Sequence, residues 1–218
     1  MDNKKVAVQL DFDGTITVDD ISFLLLDAYA GDSWHETLAE YTQGRIPVGV
    51  FNRKVFGMVK ADRKAMLDMV MSNERLRVRP GFYELTDLCS RRGYRTVIVS
   101  NGLTFYIEAI LKDLGIEGIE VHAAENEFSP EGMRVKYLGP DGNELESGHK
   151  EAYTARLLEE GYFTVYIGDG ASDIAPARIA DRVFATGNLL IKCCEVNLEC
   201  TPFNDFFDVL KGLQSSSE

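Results

Sequence analysis

The chain has 218 residues, of which 45% are hydrophobic and 27% charged, a composition typical of a globular protein of one or two domains with a substantial core. Its formal net charge is −12 and it contains no basic run, which argues against binding to nucleic acid or to an anionic membrane surface. No apolar stretch is long enough to span a bilayer and no signal peptide precedes the first predicted strand, so a cytoplasmic location is expected.

Two carboxylates mark the end of the first predicted strand. The apolar run Val6-Ala7-Val8 indicates a buried strand, and Asp11-Phe12-Asp13-Gly14-Thr15 follows it. Because side chains alternate along extended backbone, Asp11 and Asp13 point to one side while Phe12 points to the other. Convergent carboxylates with no basic residue between them are typical ligands of a hard cation such as Mg²⁺. The alternative is a surface turn that happens to carry acids.

The next segment changes to a helical pattern. Between residues 18 and 77, apolar residues recur at helical spacing, with breaks at Gly31 and between Gly44 and Pro47. We predict a small α-helical cap over 18–77, inserted into an α/β core made of residues 1–17 and 78–218. The alternative is that these helices belong to one continuous domain.

Strands and helices alternate after Pro80-Gly81, which predicts a Rossmann-like, doubly wound parallel sheet. Two turn signals within 127–146 predict a β-hairpin flap, and 214–218 are expected to form a frayed tail. The expected helices span 82–91, 103–114 and 149–160, and the expected strands span 95–99, 119–124, 163–167 and 182–185.

Three further polar segments lie where elements of this core begin or end. Ser100 and Asn101 follow a predicted strand, and Lys150 opens a predicted helix. The segment from Asp169 to Asp173 repeats the pattern of strand, glycine turn and paired carboxylates. Taken singly, Ser100 fits a turn or helix cap and Lys150 fits a solvated helix start. Together they are expected to meet at the carboxyl edge of the sheet, where α/β folds bind ligands.

The four segments, in this order, resemble the signature motifs of the haloacid dehalogenase-like hydrolases. Asp11 to Thr15 resembles the first motif, Ser100 the second, Lys150 the third, and 168–173 the fourth. The resemblance implies a Rossmann-like core with a cap and a flap. It also implies Mg²⁺-dependent hydrolysis of a small phosphorylated metabolite.

The resemblance also assigns roles to the motif residues. Asp11 would be the nucleophile that forms an aspartyl-phosphate, and Asp13 the general acid that later acts as base. Asp173 would support the metal site or orient Lys150. The implied sets are Asp11, Asp13, Ser100 and Lys150 for catalysis; Asp11, Asp13 through its backbone carbonyl, Asp169 and Asp173 for Mg²⁺; and Ser100, Asn101 and Lys150 for the phosphoryl group.

The chain resembles two groups of phosphatases in particular. The position of the cap is similar to that in phosphoserine phosphatases, which implies that Asp20 reads a substrate amino group and Arg53 a substrate carboxylate. Asp20 and Arg53 could equally pair with each other or face solvent. Residues 11–17 and 184–206 are similar to the methionine-salvage phosphatases that act on a methylthio-keto-enol phosphate. Both substrates are therefore expected candidates.

Proteins with other functions on the same fold need different sets of residues. Dehalogenases need neither Asp13 nor the metal, whereas this chain has Asp13 and both acids of the fourth motif. A phosphotransferase or phosphomutase would keep the same residues and remains an alternative. A non-enzymatic phosphate-binding protein would be expected to lack one of Asp11, Asp13, Lys150 or Asp169. The sequence carries no signal for an oligomeric state.

Overall fold

Apolar strands assemble an eight-stranded sheet in residues 5–215, the part of the chain that the computed structural model describes. In spatial order the strands run β5-β4-β3-β2-β1-β6-β7-β8. The six strands from β3 to β8 in this order are parallel, and β4 and β5 continue the β3 edge in antiparallel fashion. The predicted α/β, Rossmann-like class is confirmed. The strands are β1 (Val6–Leu10), β2 (Arg95–Leu103), β3 (Glu120–Glu127), β4 (Arg134–Leu138), β5 (Glu144–Leu145), β6 (Phe163–Gly168), β7 (Arg182–Ala185) and β8 (Thr201–Pro202).

Helices cover both the sheet and its carboxyl edge. They are α1 (Ile21–Tyr29), α2 (Trp34–Thr42), α3 (Val48–Phe56), α4 (Arg63–Ser72), α5 (Phe82–Arg92), α6 (Thr104–Asp113), α7 (His149–Glu159), α8 (Ile174–Ile179), α9 (Gly187–Glu195) and α10 (Phe206–Ser215). The expected frayed tail was wrong for Gln214 and Ser215, because α10 continues through both while Val209 and Leu213 bury its apolar face. The rest of that expected tail lies outside the described residues.

The central strand β1 fixes the position of helix α7. Its neighbours β2 and β6 lie parallel on either side, and Ala7, Val8 and Leu10 are fully buried, as expected of a strand covered on both faces. Gln9 is also fully buried. Its Nε2 donates to the Lys150 carbonyl at 3.0 Å, and its Oε1 accepts from the Thr154 hydroxyl at 2.9 Å. A polar side chain in the core strand thus holds the first turn of α7 in place.

Helices α1 to α4, the capping helices, occupy the segment predicted to form a cap. The chain enters and leaves this segment side by side, since Thr17 forms an antiparallel bridge with Val78 and the Val18 amide donates to the Arg77 carbonyl at 2.8 Å. Buried residues of the segment join the same apolar cluster as strand β1, for example Leu25 and Val55. The division at 18–77 stays a prediction.

The predicted hairpin extends the sheet and touches the capping helices. Residues Glu125 and Lys136 face each other across β3 and β4. The Met133 amide donates to the Phe56 carbonyl at 3.1 Å, and the Gly49 amide donates to the Glu146 carbonyl at 3.1 Å. Helix α3 is therefore fixed to both ends of the hairpin. Within residues 5–215, no helix has the length and apolar character needed to cross a membrane.

The buried pair of Gln9 and Thr154 gives a stability prediction. Gln9→Leu should lower the free energy of unfolding by about 1–3 kcal/mol, because it leaves the buried Thr154 hydroxyl without its side-chain partner. The double variant Gln9→Leu, Thr154→Val should cost less than the sum of the two single changes, since both polar groups are then removed. Urea unfolding of the four proteins measures this difference. Strict additivity would contradict the coupling.

Candidate active site

The carboxyl ends of three neighbouring strands bring the motif residues together. Leu10 and Ile167 are opposite each other in β1 and β6, and the Asp11 amide continues the ladder by donating to the Ile167 carbonyl at 3.0 Å. Asp11 follows β1 directly, Ser100 lies in the last part of β2, and Asp169 follows β6. The edge predicted from the sequence as the ligand-binding edge is the one at which these side chains converge.

Lys150 is the cation at the centre of this cluster. Its Nζ lies 2.6 Å from Asp11 Oδ2 and 2.5 Å from Asp173 Oδ1, and all three side chains are at most 8% exposed. Burial alone would lower the pKa of Lys150, but the charges of Asp11 and Asp173 outweigh burial and raise the pKa above its ordinary value. The ammonium group therefore stays charged at every physiological pH.

Asp173 is the fully buried anchor of the fourth motif. Its Oδ1 accepts from the Tyr166 hydroxyl at 2.6 Å, and its Oδ2 accepts from the amides of Asp169 and Gly170 at 2.9 and 2.7 Å. Since one oxygen faces Lys150 and the other holds the backbone of the loop, Asp173 both orients the lysine and shapes the turn that presents Asp169.

Asp169 lies over the first motif. Its Oδ1 accepts from the Thr15 hydroxyl at 2.7 Å. Gly14 sits directly beneath the carboxylate with a φ of +78°, so a side chain at position 14 would both strain the backbone and collide with Asp169. The first and fourth motifs are thereby fitted to each other through a glycine and a hydroxyl.

The acids outnumber the positive charges of the site. Ligand atoms of Asp11, Asp169 and Asp173 lie within 4.8 Å of one another, and Asp169 forms no ion pair within residues 5–215. Burial raises the pKa of Asp169 to about 8, with further contributions from Asp11 and Asp173. Burial also raises the pKa of Asp11 to about 6, although Lys150 opposes the shift. Hard carboxylate oxygens with uncompensated negative charge fit a divalent cation such as Mg²⁺.

Asp13 faces the capping helices. The Ile21 amide, the first residue of α1, donates to Asp13 Oδ1 at 3.0 Å, and the Tyr106 hydroxyl donates to Asp13 Oδ2. Burial raises the pKa of Asp13 well above its ordinary value, and the neighbouring Asp20 raises it further. A carboxyl group in this environment is readily protonated, which suits an acid that gives a proton to a leaving group.

Ser100 and Asn101 form the part of the site contributed by β2. Ser100 is buried and its hydroxyl accepts from the Gly102 amide at 3.0 Å. The Asn101 carbonyl accepts from Asn52 of α3 at 3.0 Å and from Tyr137 of β4 at 2.5 Å. Asn52 also donates to the Tyr137 hydroxyl. Core, capping helices and hairpin therefore meet at this carbonyl.

The two predicted substrate-binding residues have different surroundings. Asp20 is next to the site: its Oδ1 caps α1 by accepting from the Phe23 amide at 2.9 Å, and burial raises its pKa to about 6. Arg53 is not brought to the cluster. Its guanidinium pairs with Glu146 at 2.8 Å and with Glu144 at 3.6 Å, both on the hairpin. The two residues do not pair with each other.

Several residues that support the site had little signal in the sequence. Thr15 is the last residue of the first motif, and no role was assigned to its hydroxyl. Tyr166 lies in β6 two residues before Gly168, so strand alternation would have placed it near the edge. Tyr106 lies at helical spacing among apolar residues and has the pattern of a core residue. Tyr41 of α2 stacks on Phe51 at a centroid distance of 5.1 Å, and burial raises the pKa of its hydroxyl while the nearby Lys150 opposes the shift. Only tertiary structure brings these last residues to the site.

Comparison with known proteins agrees with this geometry. The model of the haloacid dehalogenase-like hydrolase family matches residues 8–178. The chain is 32% identical over 215 residues to the 2-hydroxy-3-keto-5-methylthiopentenyl-1-phosphate phosphatase of Geobacillus kaustophilus, covering 97% of this chain and 96% of that protein. It is 28% identical over 216 residues to the enzyme of the same name from Brevibacillus brevis, covering 97% and 96%.

Solved structures show the same fold. A phosphoserine phosphatase with a phospho-aspartyl intermediate analogue superimposes with a TM-score of 0.72 at 20% identity, covering 96% of this chain and 99% of that one. A substrate-bound phosphoserine phosphatase gives a TM-score of 0.71 at 19% identity, covering 96% and 99%. Because the family match spans most of the chain and the motif side chains converge on one edge, the chain belongs to the haloacid dehalogenase-like hydrolase family and is an enzyme of its phosphatase type.

Proposed function

We propose that this chain is a Mg²⁺-dependent phosphatase that hydrolyses a small phosphomonoester through a phosphorylated Asp11. One observation supports this most directly: Lys150 binds Asp11 and Asp173 inside a buried cluster that also contains Asp169. A carboxylate held beside a buried ammonium can approach an anionic phosphate, because the positive charge offsets their repulsion.

In the first step an oxygen of Asp11 attacks the phosphorus atom and the bond from phosphorus to the ester oxygen breaks. Asp13 gives its proton to that leaving oxygen, so the product leaves as a neutral alcohol or enol. Burial and the neighbouring Asp20 raise the pKa of Asp13 well above its ordinary value, which favours the protonated form that this step needs. Asp11 ends the step as a mixed anhydride with phosphate.

In the second step Asp13, now ionised, takes a proton from a water molecule. The water oxygen bonds to phosphorus, the bond between phosphorus and Asp11 breaks, and inorganic phosphate leaves. Asp13 regains its proton and Asp11 its carboxylate, so the cycle closes without another reactant. The Ser100 hydroxyl, the Asn101 amide and Lys150 would hold the phosphoryl oxygens during both steps.

The acidic residues of the site would hold the metal. Asp11, Asp169 and the backbone carbonyl of Asp13 are the proposed ligands, and Asp173 supports them from behind through its hydrogen bonds to the loop amides. Bound Mg²⁺ supplies positive charge that stabilises the phosphoryl oxygens as charge redistributes among them.

The charges around the site favour one of the two candidate substrates. Phosphoserine brings a carboxylate that needs a cationic partner, yet Arg53 pairs with the hairpin acids and the adjacent Lys54 pairs with Glu40 at 3.0 Å. Asp20 would repel a carboxylate further. A methylthio-keto-enol phosphate has no carboxylate, and the enzymes that carry this substrate in their name match the chain over nearly its full length. We therefore propose the keto-enol phosphate as the substrate.

A phosphotransferase is the second candidate function. It would use the same Asp11 intermediate and pass the phosphoryl group to an alcohol instead of water. Product analysis in the presence of an acceptor alcohol or a sugar phosphate distinguishes the two, because only transfer yields a new phosphate ester. A protein that merely binds phosphate would form no covalent intermediate.

The role of Asp11 can be tested by trapping the intermediate. With ³²P-labelled 4-nitrophenyl phosphate, whose leaving oxygen has little need of a proton, and an acid quench, Asp13→Asn should accumulate labelled protein, because the first step proceeds without the acid while the second step lacks a base. Asp11→Asn should carry no label and should lose at least about 10³-fold in kcat. Circular dichroism checks that both variants are folded. Label on Asp11→Asn, or turnover at the wild-type rate, would contradict the proposal.

The metal site can be tested with and without catalysis. EDTA should abolish phosphate release, and added Mg²⁺ should restore it. Asp169→Asn should weaken Mg²⁺ binding, measured by calorimetry, by about 10- to 100-fold. Glu146→Gln, on the hairpin, is the matched control and should bind Mg²⁺ as the wild type does. Full activity in EDTA would rule out the metal-dependent mechanism.

The substrate can be tested with a panel of phosphomonoesters that includes phosphoserine, sugar phosphates, nucleotides and the keto-enol phosphate. We expect kcat/KM for the keto-enol phosphate to exceed that for phosphoserine by at least about 100-fold, because a buried carboxylate without a partner is strongly rejected. Arg53→Ala should change neither value by more than about threefold, since its guanidinium pairs with exposed acids. A selective loss of phosphoserine hydrolysis in Arg53→Ala would assign the carboxylate site to Arg53 instead.

A further inference from the structure

The carboxyl group of Asp13 has two partners that belong to different parts of the molecule. Its Oδ1 accepts from the Ile21 amide of α1 at 3.0 Å, and its Oδ2 accepts from the hydroxyl of Tyr106 in α6. The same hydroxyl lies 2.9 Å from the Ser22 hydroxyl, which is also in the first turn of α1. Asp13, Tyr106 and Ser22 thus form a continuous hydrogen-bonded chain between the motif loop and the first capping helix.

The position of the Tyr106 ring leaves it little freedom. Tyr106 is fully buried, and its ring packs against Phe12 and Phe105 at centroid distances of 6.2 and 5.5 Å. Gly102 has no Cβ, and one built there would collide with both the Tyr106 hydroxyl and Asp13 Oδ2. The contact between Tyr106 and Asp13 therefore depends on the glycine two residues after Ser100.

A hydroxyl group has a property that other partners of a carboxyl group lack. It can donate to a carboxylate, and after rotation it can accept from a protonated carboxyl group. When the Tyr106 hydroxyl accepts, its own hydrogen can be donated to Ser22, so no buried donor is left without an acceptor. A lysine or an arginine at this place would favour only the ionised form of Asp13.

We propose that Tyr106 is a positioning residue for Asp13 and that, with Ser22, it links the orientation of this carboxyl group to helix α1. The proposal rests on the proposed function in one respect, namely that Asp13 alternates between acid and base. Tyr106 holds the carboxyl group in place in both forms, and Ser22 and the Ile21 amide fix the same group to the first turn of α1.

The first test compares two esters of similar size. Phenyl phosphate needs a proton on its leaving oxygen far more than 4-nitrophenyl phosphate does, and kcat/KM reports only steps up to the first chemical one. Tyr106→Phe should lower kcat/KM for phenyl phosphate by about 10- to 100-fold and for 4-nitrophenyl phosphate by less than about threefold. Ser22→Ala should give a smaller change of the same kind. Inhibition by inorganic phosphate should not change.

A matched control is available in the same site. Tyr166 is another fully buried tyrosine that donates to a carboxylate, but its partner is Asp173 at 2.6 Å. Tyr166→Phe should reduce both esters by the same factor, because Asp173 transfers no proton to the leaving oxygen. Equal reduction of the two esters by Tyr106→Phe would show a general packing defect and overturn the proposal.

The second test does not depend on turnover. Two amides in the first turn of α1 donate to different carboxylates. The Ile21 amide donates to Asp13, whereas the Phe23 amide donates to Asp20 at 2.9 Å. In Tyr106→Phe, hydrogen exchange measured by NMR should become about tenfold faster at the Ile21 amide and stay unchanged at the Phe23 amide. Unchanged exchange at both amides would overturn the proposal. If the wild type released phosphate neither from these esters nor from the keto-enol phosphate, the proposed function would fail, while this exchange result would still decide the positioning role.

Discussion

The buried pairing of Lys150 with Asp11 and Asp173 is the interaction on which the rest of the site depends. Removing a charged group from water costs several kcal/mol, so a buried lysine is retained only when its partners are exactly placed. The central strand supplies that placement, because Gln9 donates to the Lys150 carbonyl while Asp11 directly follows the same strand. Loss of the Lys150 charge would leave two buried carboxylates without a cation, at a cost of about 3–5 kcal/mol.

The site nevertheless carries more negative charge than Lys150 can offset. The pKa of Asp169 is raised to about 8, first by burial and then by Asp11 and Asp173, which means that its charged form is unfavourable in the protein alone. A bound divalent cation would relieve this excess by binding the carboxylates. The apolar cores around the sheet stabilise an arrangement that the polar residues by themselves would not maintain.

The residues of the candidate site could be predicted from the sequence because their positions follow from local rules. Asp11, Ser100 and Asp169 come at or just after the ends of neighbouring parallel strands, and strand ends are visible as the limits of apolar runs. Arg53 could not be placed in this way: the direction of its side chain depends on how α3 packs against the hairpin. Tyr106 could not be identified either, because an aromatic residue among apolar neighbours on a helix has the same pattern whether or not its hydroxyl has a role.

Contacts from helices α1 and α3 converge on the loops that carry the motif residues. Asn52 donates to the Asn101 carbonyl, and the Ile21 amide donates to Asp13. At the base of these helices the Arg79 guanidinium donates to the carbonyls of Gly14 and Thr15 at 2.6 and 2.8 Å. The segment that follows these helices is therefore tied to the first motif. In the proposed mechanism, the contacts of the helices with the motif loops would shield a phosphorylated Asp11 from bulk water. The contact between α1 and Asp13 would at the same time hold the proposed acid in position.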